Sequence, residues 1–347
     1  MLAVASRLCG VQAQVMSCAE LALWARVEGL EREAVAHALW EQRTLVKTWA
    51  MRGTLHLLRS SELPLWNAAL GASRRFLNER VWQNYFGITL AELDRMTDAI
   101  AEALDGRLVT REELIAKLAH LPGSRALASS WGTILRPAAF SGRLCFGPSL
   151  GQRVRFTHPA SWLSTTPAAV APDAAIAEIV RRFLAAYGPA TPYDLARWWT
   201  GGGVTTARQW IAALGDEATP VDLEGTPAWM LAADARKLRD FGSVRSVRLL
   251  PGFDQYVIVA SHHARHLLPG DLRTKVYRAQ GWISPVLLVN GMMQGTWRHE
   301  LKGSRVEVAI QPFVHLPAWV RKAAENEAER LAEFLGGTLE FARVRGS

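Results

Sequence analysis

The sequence predicts an α+β protein in which three repeated helical units precede a β-rich C-terminal part. Three observations carry this. A helix-start pattern recurs at domain-sized intervals. Each copy runs into a turn, a second helix and a pair of strand-like stretches. After the third copy the texture changes to apolar runs broken by hairpin turns. The 347 residues also exceed one ordinary core, so several domains are expected.

The recurring pattern is a hydroxyl residue, two residues, an acid and a leucine. It reads Ser17-Cys18-Ala19-Glu20-Leu21, then Thr110-Arg111-Glu112-Glu113-Leu114, then Thr191-Pro192-Tyr193-Asp194-Leu195. This is a capping box: the hydroxyl accepts from the first helical turn and the acid answers it. The copies start 93 and 81 residues apart. Pro192 suits a first helical position. In the first unit a helix over 17–27 breaks at Gly29, and a second covers 32–42. In the second, a helix over 111–121 meets a Pro122-Gly123 turn and a helix over 126–140. In the third, 192–199 and 205–214 flank Gly201-Gly202-Gly203. Strand-like stretches follow at 53–58, 143–157 and 219–232. Helix, turn, helix and β-hairpin describe a winged helix, and helix-turn-helix modules most often place their second helix in the DNA major groove.

Thr89-Leu90-Ala91-Glu92-Leu93 also matches the cap and is expected to start a lone linker helix. The domains expected are a first winged helix over 1–88, a linker helix and second winged helix over 89–165, a third over 172–240, and a β-rich C-terminal domain over 241–347. Residues 164–175 read as the best linker. In the last part, 245–260 is apolar and alternates near its start. Residues 281–313 read as strands around Asn290-Gly291, a strong hairpin signal. A closing helix is expected near 317–335 and a strand at 338–344.

Net charge is +8, and only six of the 40 basic residues are lysines. A GC-rich genome accounts for most of the Arg-to-Lys ratio but not for the net excess, which favours a polyanionic partner. No apolar run reaches the length of a membrane span, and no secretion signal is evident. Cys9, Cys18 and Cys145 cannot all pair and lack zinc-like spacing, which fits a reducing cytoplasm.

Several short motifs could carry chemistry. In "GVQAQ", an extended backbone with Val11 and Ala13 in the core would turn Gln12 and Gln14 the same way. Two adjacent amides can hold one water or grip a sugar or base edge, but neither is a strong base. "MRGTLHLL" over 51–58 is the most specific string. It suggests a strand with Thr54 and His56 on a wet face and leucines on a core face. Asp254 in "LLPGFDQY" reads as the cap of a following turn, with nothing nearby to pair with it. His262 and His266 have helical metal-ligand spacing with His263 beside them, but no acid or cysteine completes a site, and no metal is expected. Arg298, His299, Lys302 and Arg305 cluster around a turn that could probe a groove or simply be solvated.

"GVQAQ", "RGTLHL" and "LLPGFDQY", in this order and spacing, resemble the bacterial winged-helix DNA glycosylases of the AlkZ and YcaQ kind across nearly the whole chain. The resemblance implies three tandem winged helices and a β-rich C-terminal domain, C-shaped around a basic channel. It implies excision of alkylated purines from double-stranded DNA, with some members unhooking interstrand crosslinks. The family's catalytic Gln-x-Gln motif falls on Gln12, Ala13 and Gln14, the Gln-x-Gln rather than Gln-x-Asp branch. Family members usually carry a further helix before this motif, and only eleven residues precede Gln12 here.

The reading expected is a monofunctional glycosylase for N7- or N3-alkylated purines, with no cofactor and no membrane partner, monomeric, cytoplasmic and nucleoid-associated. The first lysine is Lys47, so no Schiff-base strand cleavage is expected. Arg52, His56, Arg298, His299, Lys302 and Arg305 are the candidate DNA contacts. The alternative is a winged-helix transcriptional regulator without catalysis, and a third reading is a protein-interaction scaffold.

Overall fold

The structure, a computed structural model, describes the chain apart from residues 74–76, 129–131, 164–169, 239–241, 243, 261–263 and 345–347. It is α+β. A six-residue helix, Leu2–Arg7, precedes the first strand, Val11–Gln12. Its Ala5 is fully buried, so the glutamine segment does have helical support on its N-terminal side. Helices Met16–Trp24 and Ala34–Trp40 follow, then strands Leu45–Trp49 and Leu55–Arg59. Leu55–Arg59 lies centrally in a three-stranded antiparallel sheet, with Val11–Gln12 on one side and Leu45–Trp49 on the other.

The same order of elements recurs. Helix Arg111–Leu118 leads through short helical pieces to Arg136–Phe140 and the antiparallel strands Cys145–Leu150 and Arg153–Thr157. Helices Pro192–Trp198 and Gly203–Ala212 lead to the hairpin Ala218–Leu223 and Thr226–Leu231. Thr110 and Thr191 form complete capping boxes, as does Thr89 at the start of helix Leu90–Leu104. Ser17 does not. Its helix starts at Met16, because extended Val15 already ends the strand segment, so Ser17 sits inside the first turn. The long helix expected over 126–140 is also broken: Gly132 has φ +61° and Pro137 restarts the chain. The expected linker lies partly outside the described residues, and its end is the start of helix Pro172–Tyr187.

The C-terminal part is a five-stranded sheet. Strands Val247–Leu250, Val286–Val289, Met292–Lys302 and Arg305–Pro312 run antiparallel in chain order, and Thr338–Val344 adds in parallel. Asn290 and Gly291 both have positive φ, as a tight two-residue hairpin turn requires. Helix Ala318–Phe334 covers one face with Val320, Ala324, Ala328 and Leu331.

Two cores meet at the first sheet. Val11, Ala13, Leu45 and Leu57 pack against helices Met16–Trp24 and Ala34–Trp40. Val46 and Leu58 pack the other way, toward Trp66 and Phe183. Helix Met16–Trp24 is shared similarly, with Ala19, Ala22 and Leu23 in the first core and Leu21 and Trp24 in the C-terminal core. No described helix is long and apolar enough to cross a membrane.

Candidate active site

Gln12 and Gln14 leave the same side of one extended segment. Gln12 pairs with His56, and Ala13 N donates to Leu55 O at 2.7 Å, so the extended run continues past the strand. Alternation then sorts the side chains. Val11 and Ala13 are buried in the core, whereas Gln12 and Gln14 line a cleft of about 740 Å³. A left-handed turn at Cys9 and Gly10 aims the segment. A Cβ on Gly10 would fall 2.6 Å from Leu58 Cδ2, so glycine is required there. The Tyr187 hydroxyl donates to Leu8 O at 2.6 Å and Gln255 Nε2 to Gly10 O at 2.9 Å, fixing the turn from two sides.

Arg52 and Gly53, with φ +57° and +65°, turn the backbone before strand Leu55–Arg59. Arg52 Nη2 donates to Gln12 Oε1 at 2.6 Å and lies 3.4 Å from His56 Nε2. His56 Nδ1 is 3.1 Å from Thr54 O. A carbonyl only accepts, so Nδ1 carries the proton and Nε2 accepts from Arg52. His56 is fully buried, and burial together with the Arg52 charge pushes its pKa down to about 3. It is neutral at physiological pH. Burial lowers Arg52 to about 10, leaving it charged.

These donors orient both amides. A guanidinium only donates, so the Gln12 atom facing Arg52 is its oxygen. Leu55 N lies 3.3 Å from Gln14 Oε1 and fixes that oxygen likewise. Arg136, Arg197 and Arg278 join Arg52 in the lining, and Asp194 is the sole acid among the described lining residues. Asp194 completes the cap on Thr191, with Oδ2 2.6 Å from Thr191 N. Phe253 and the exposed Trp282 line the cleft with ring centroids 4.8 Å apart. No lysine is among the described lining residues.

A family model described as DNA glycosylase AlkZ-like matches residues 5–334. The chain belongs to the AlkZ-like DNA glycosylase family. It is 37% identical over 340 residues to an interstrand DNA cross-link repair glycosylase of Streptomyces sahachiroi, covering 96% of this chain and 90% of that protein. The solved structure of the Streptomyces sahachiroi DNA glycosylase AlkZ superposes with a TM-score of 0.88 over 99% of this chain and 92% of that one, at 37% identity.

In this glycosylase the cleft brings together Gln12, Gln14 and Arg52. His56 lies behind Arg52 and is sealed from solvent, so it meets the cleft only through its contact with Arg52, and its ring is not exposed for the DNA contact expected of it. Of the wet face expected there, Thr54 does line the cleft, whereas His56 is buried beside Leu58 in the core. Arg298, His299, Lys302 and Arg305 lie on the hairpin formed by Met292–Lys302 and Arg305–Pro312, outside the cleft lining. Lys302 sits 2.9 Å from Glu307 and 3.4 Å from Glu300, Arg305 sits 3.3 Å from Glu340, and His299 stacks on Trp297. Asp254 caps helix Gln255–Val259 as expected. It does have a partner: Arg26 makes two bonds to its carboxylate, at 2.7 and 2.8 Å. His262 and His263 lie outside the described residues, and His266 Nδ1 is 2.5 Å from Glu224. Arg136, Arg197, Arg278 and Trp282 were missed, because each comes from a different segment with no local pattern to mark it.

Proposed function

We propose that this glycosylase hydrolyses the N-glycosidic bond of cationic N7- or N3-alkylated purines in double-stranded DNA, as a monomer and without strand cleavage. In this reading the three helix-turn-helix-hairpin segments are winged helices, and with the β-rich C-terminal part they line a basic channel. The observation that carries the proposal is the amide pair of Gln12 and Gln14 on the wall of an arginine-lined cleft. The relative named for interstrand cross-link repair supports bulky adducts and crosslinks as further substrates. The cleft's arginines suit phosphate contacts.

The chemistry needs little acid or base strength. An N-alkylated purine already carries positive charge and leaves as a neutral base. The enzyme must place a water and stabilise a sugar with oxocarbenium character. The two amides divide this task. Gln12 Oε1 is held by a cation and is the poorer acceptor, so Gln12 offers its NH2 to the substrate. Gln14 Oε1 is held only by a backbone N–H and keeps a lone pair for a water proton. That water then presents its own lone pair to the anomeric carbon while the C–N bond breaks with its electron pair going to the departing neutral purine, and the proton released from the water passes to solvent. With no lysine in the described lining, no imine with the sugar forms there.

The test is release of 7-methylguanine from a defined duplex. Wild type should release it, and a Gln12→Ala/Gln14→Ala double variant should be slower by about 10²-fold or more. Equal rates would overturn the assignment. A wild type that ignores 7-methylguanine but unhooks a crosslinked duplex would narrow the substrate to bulky adducts. Binding to one promoter without any base release would favour the regulator reading instead.

A further inference from the structure

We propose that Arg136 binds a phosphodiester of the DNA backbone beside the glutamine pair. Arg136 opens helix Arg136–Phe140, and its guanidinium lies directly on the backbone of Gly53. A Cβ on Gly53 would fall 2.7 Å from Nη1 and 3.0 Å from Cζ, so the absent side chain is what admits the guanidinium. The residue borders both the glutamine cleft and an adjoining cavity of about 480 Å³. Its Nε is buried without a hydrogen-bond partner. Among the described residues no carboxylate answers it, and burial alone lowers its pKa.

A guanidinium carries five donors in a fork that matches an anionic oxygen pair. Here that fork is held half-buried, beside a second cation, Arg52, which already donates to Gln12. Asp194 in the same lining caps Thr191, and Asp98 in the adjoining cavity pairs with Arg143, so the buried Arg136 Nε keeps a donor with no partner for an arriving anion. The anion must reach the amides together with the sugar they act on, and a nucleotide's own phosphodiester does so. This inference rests on the proposed DNA substrate. It adds that one phosphate sets the distance between the sugar and the glutamines.

The experiment measures binding of an uncleaved lesion-bearing duplex against salt concentration. Arg136→Gln should reduce the slope of log Kd against log salt by about 0.9, one phosphate contact, with affinity about tenfold weaker. Arg136→Lys should keep the slope. A neutral methylphosphonate placed at successive linkages should weaken wild type at one linkage near the lesion and leave Arg136→Gln indifferent there. An unchanged slope in Arg136→Gln overturns the inference, as does a wild type insensitive at every linkage near the lesion. Because Arg52, Arg197 and Arg278 share this lining, the series is read on a second variant, Arg136→Met, should Arg136→Gln not fold; sensitivity retained in Arg136→Met overturns the inference. Should wild type show the sensitive linkage but release no base, the catalytic proposal fails and the phosphate site stands.

Discussion

Two regions of this protein carry clustered cations, and they differ in what surrounds the charge. On the hairpin from Arg298 to Arg305, Lys302 and Arg305 are exposed and answered by Glu300, Glu307 and Glu340. In the cleft, Arg52 and Arg136 are half-buried, and neither has a carboxylate partner among the described residues. Solvated pairs contribute little to stability and have little charge left to offer a ligand. A buried cation without a countercharge costs stability, and it persists where a ligand supplies the anion. In the proposed reading, arginines brought together from separate segments contact DNA, and the basic residues written side by side on the hairpin spend their charge on neighbouring glutamates.

The largest effect expected from this contrast is on pH-dependent stability. His56 is held neutral, its pKa depressed from 6.5 to about 3. The unfolded chain therefore takes up the proton first. The stability that His56 contributes is fully present above pH 6.5 and is lost, at up to about 1.4 kcal/mol per pH unit, as pH drops toward 3. Urea midpoints measured across this range should show the slope in wild type and lose much of it in His56→Gln. His299→Gln on the partly exposed hairpin should flatten it less, and the reverse order would break the comparison. Next comes Arg52→Gln, which frees the Gln12 oxygen. Single-turnover excision should fall by roughly 10-fold or more, from the loss of a positioned group. Arg52→Lys should recover only part of it, because a point charge cannot reproduce the fork. The smallest effect belongs to Lys302→Gln/Arg305→Gln. Excision and salt slope should stay within about twofold of wild type, as for surface charges already paired. A larger loss would return the hairpin to the DNA contacts.

Much of this was legible in the sequence where the cause is local. Capping boxes at Thr89, Thr110 and Thr191 and the Asn290-Gly291 turn follow from spacing within a few residues. So does the shared direction of Gln12 and Gln14, since alternation on an extended backbone leaves no other choice. Ser17 misled because the same pattern can lie one turn position inside a helix that an earlier extended residue has already started. His56 misled because a strand buried on both faces reads as half-buried when one face carries polar residues that are satisfied internally. Arg26 and Asp254 are 228 positions apart, and Arg136 lies on Gly53 from another unit. Contacts of that range leave no trace in local pattern.

The bonds from Arg26 to Asp254 and from Gln255 to Gly10 reach from the first helical segment into the C-terminal part. Leu21 and Trp24 likewise complete the C-terminal core. The glutamine-bearing segment is therefore not a detachable cassette. Cut away, it would leave the Asp254 carboxylate stranded and strip apolar surface from the remaining sheet. The two ends of the chain are therefore expected to be inherited together.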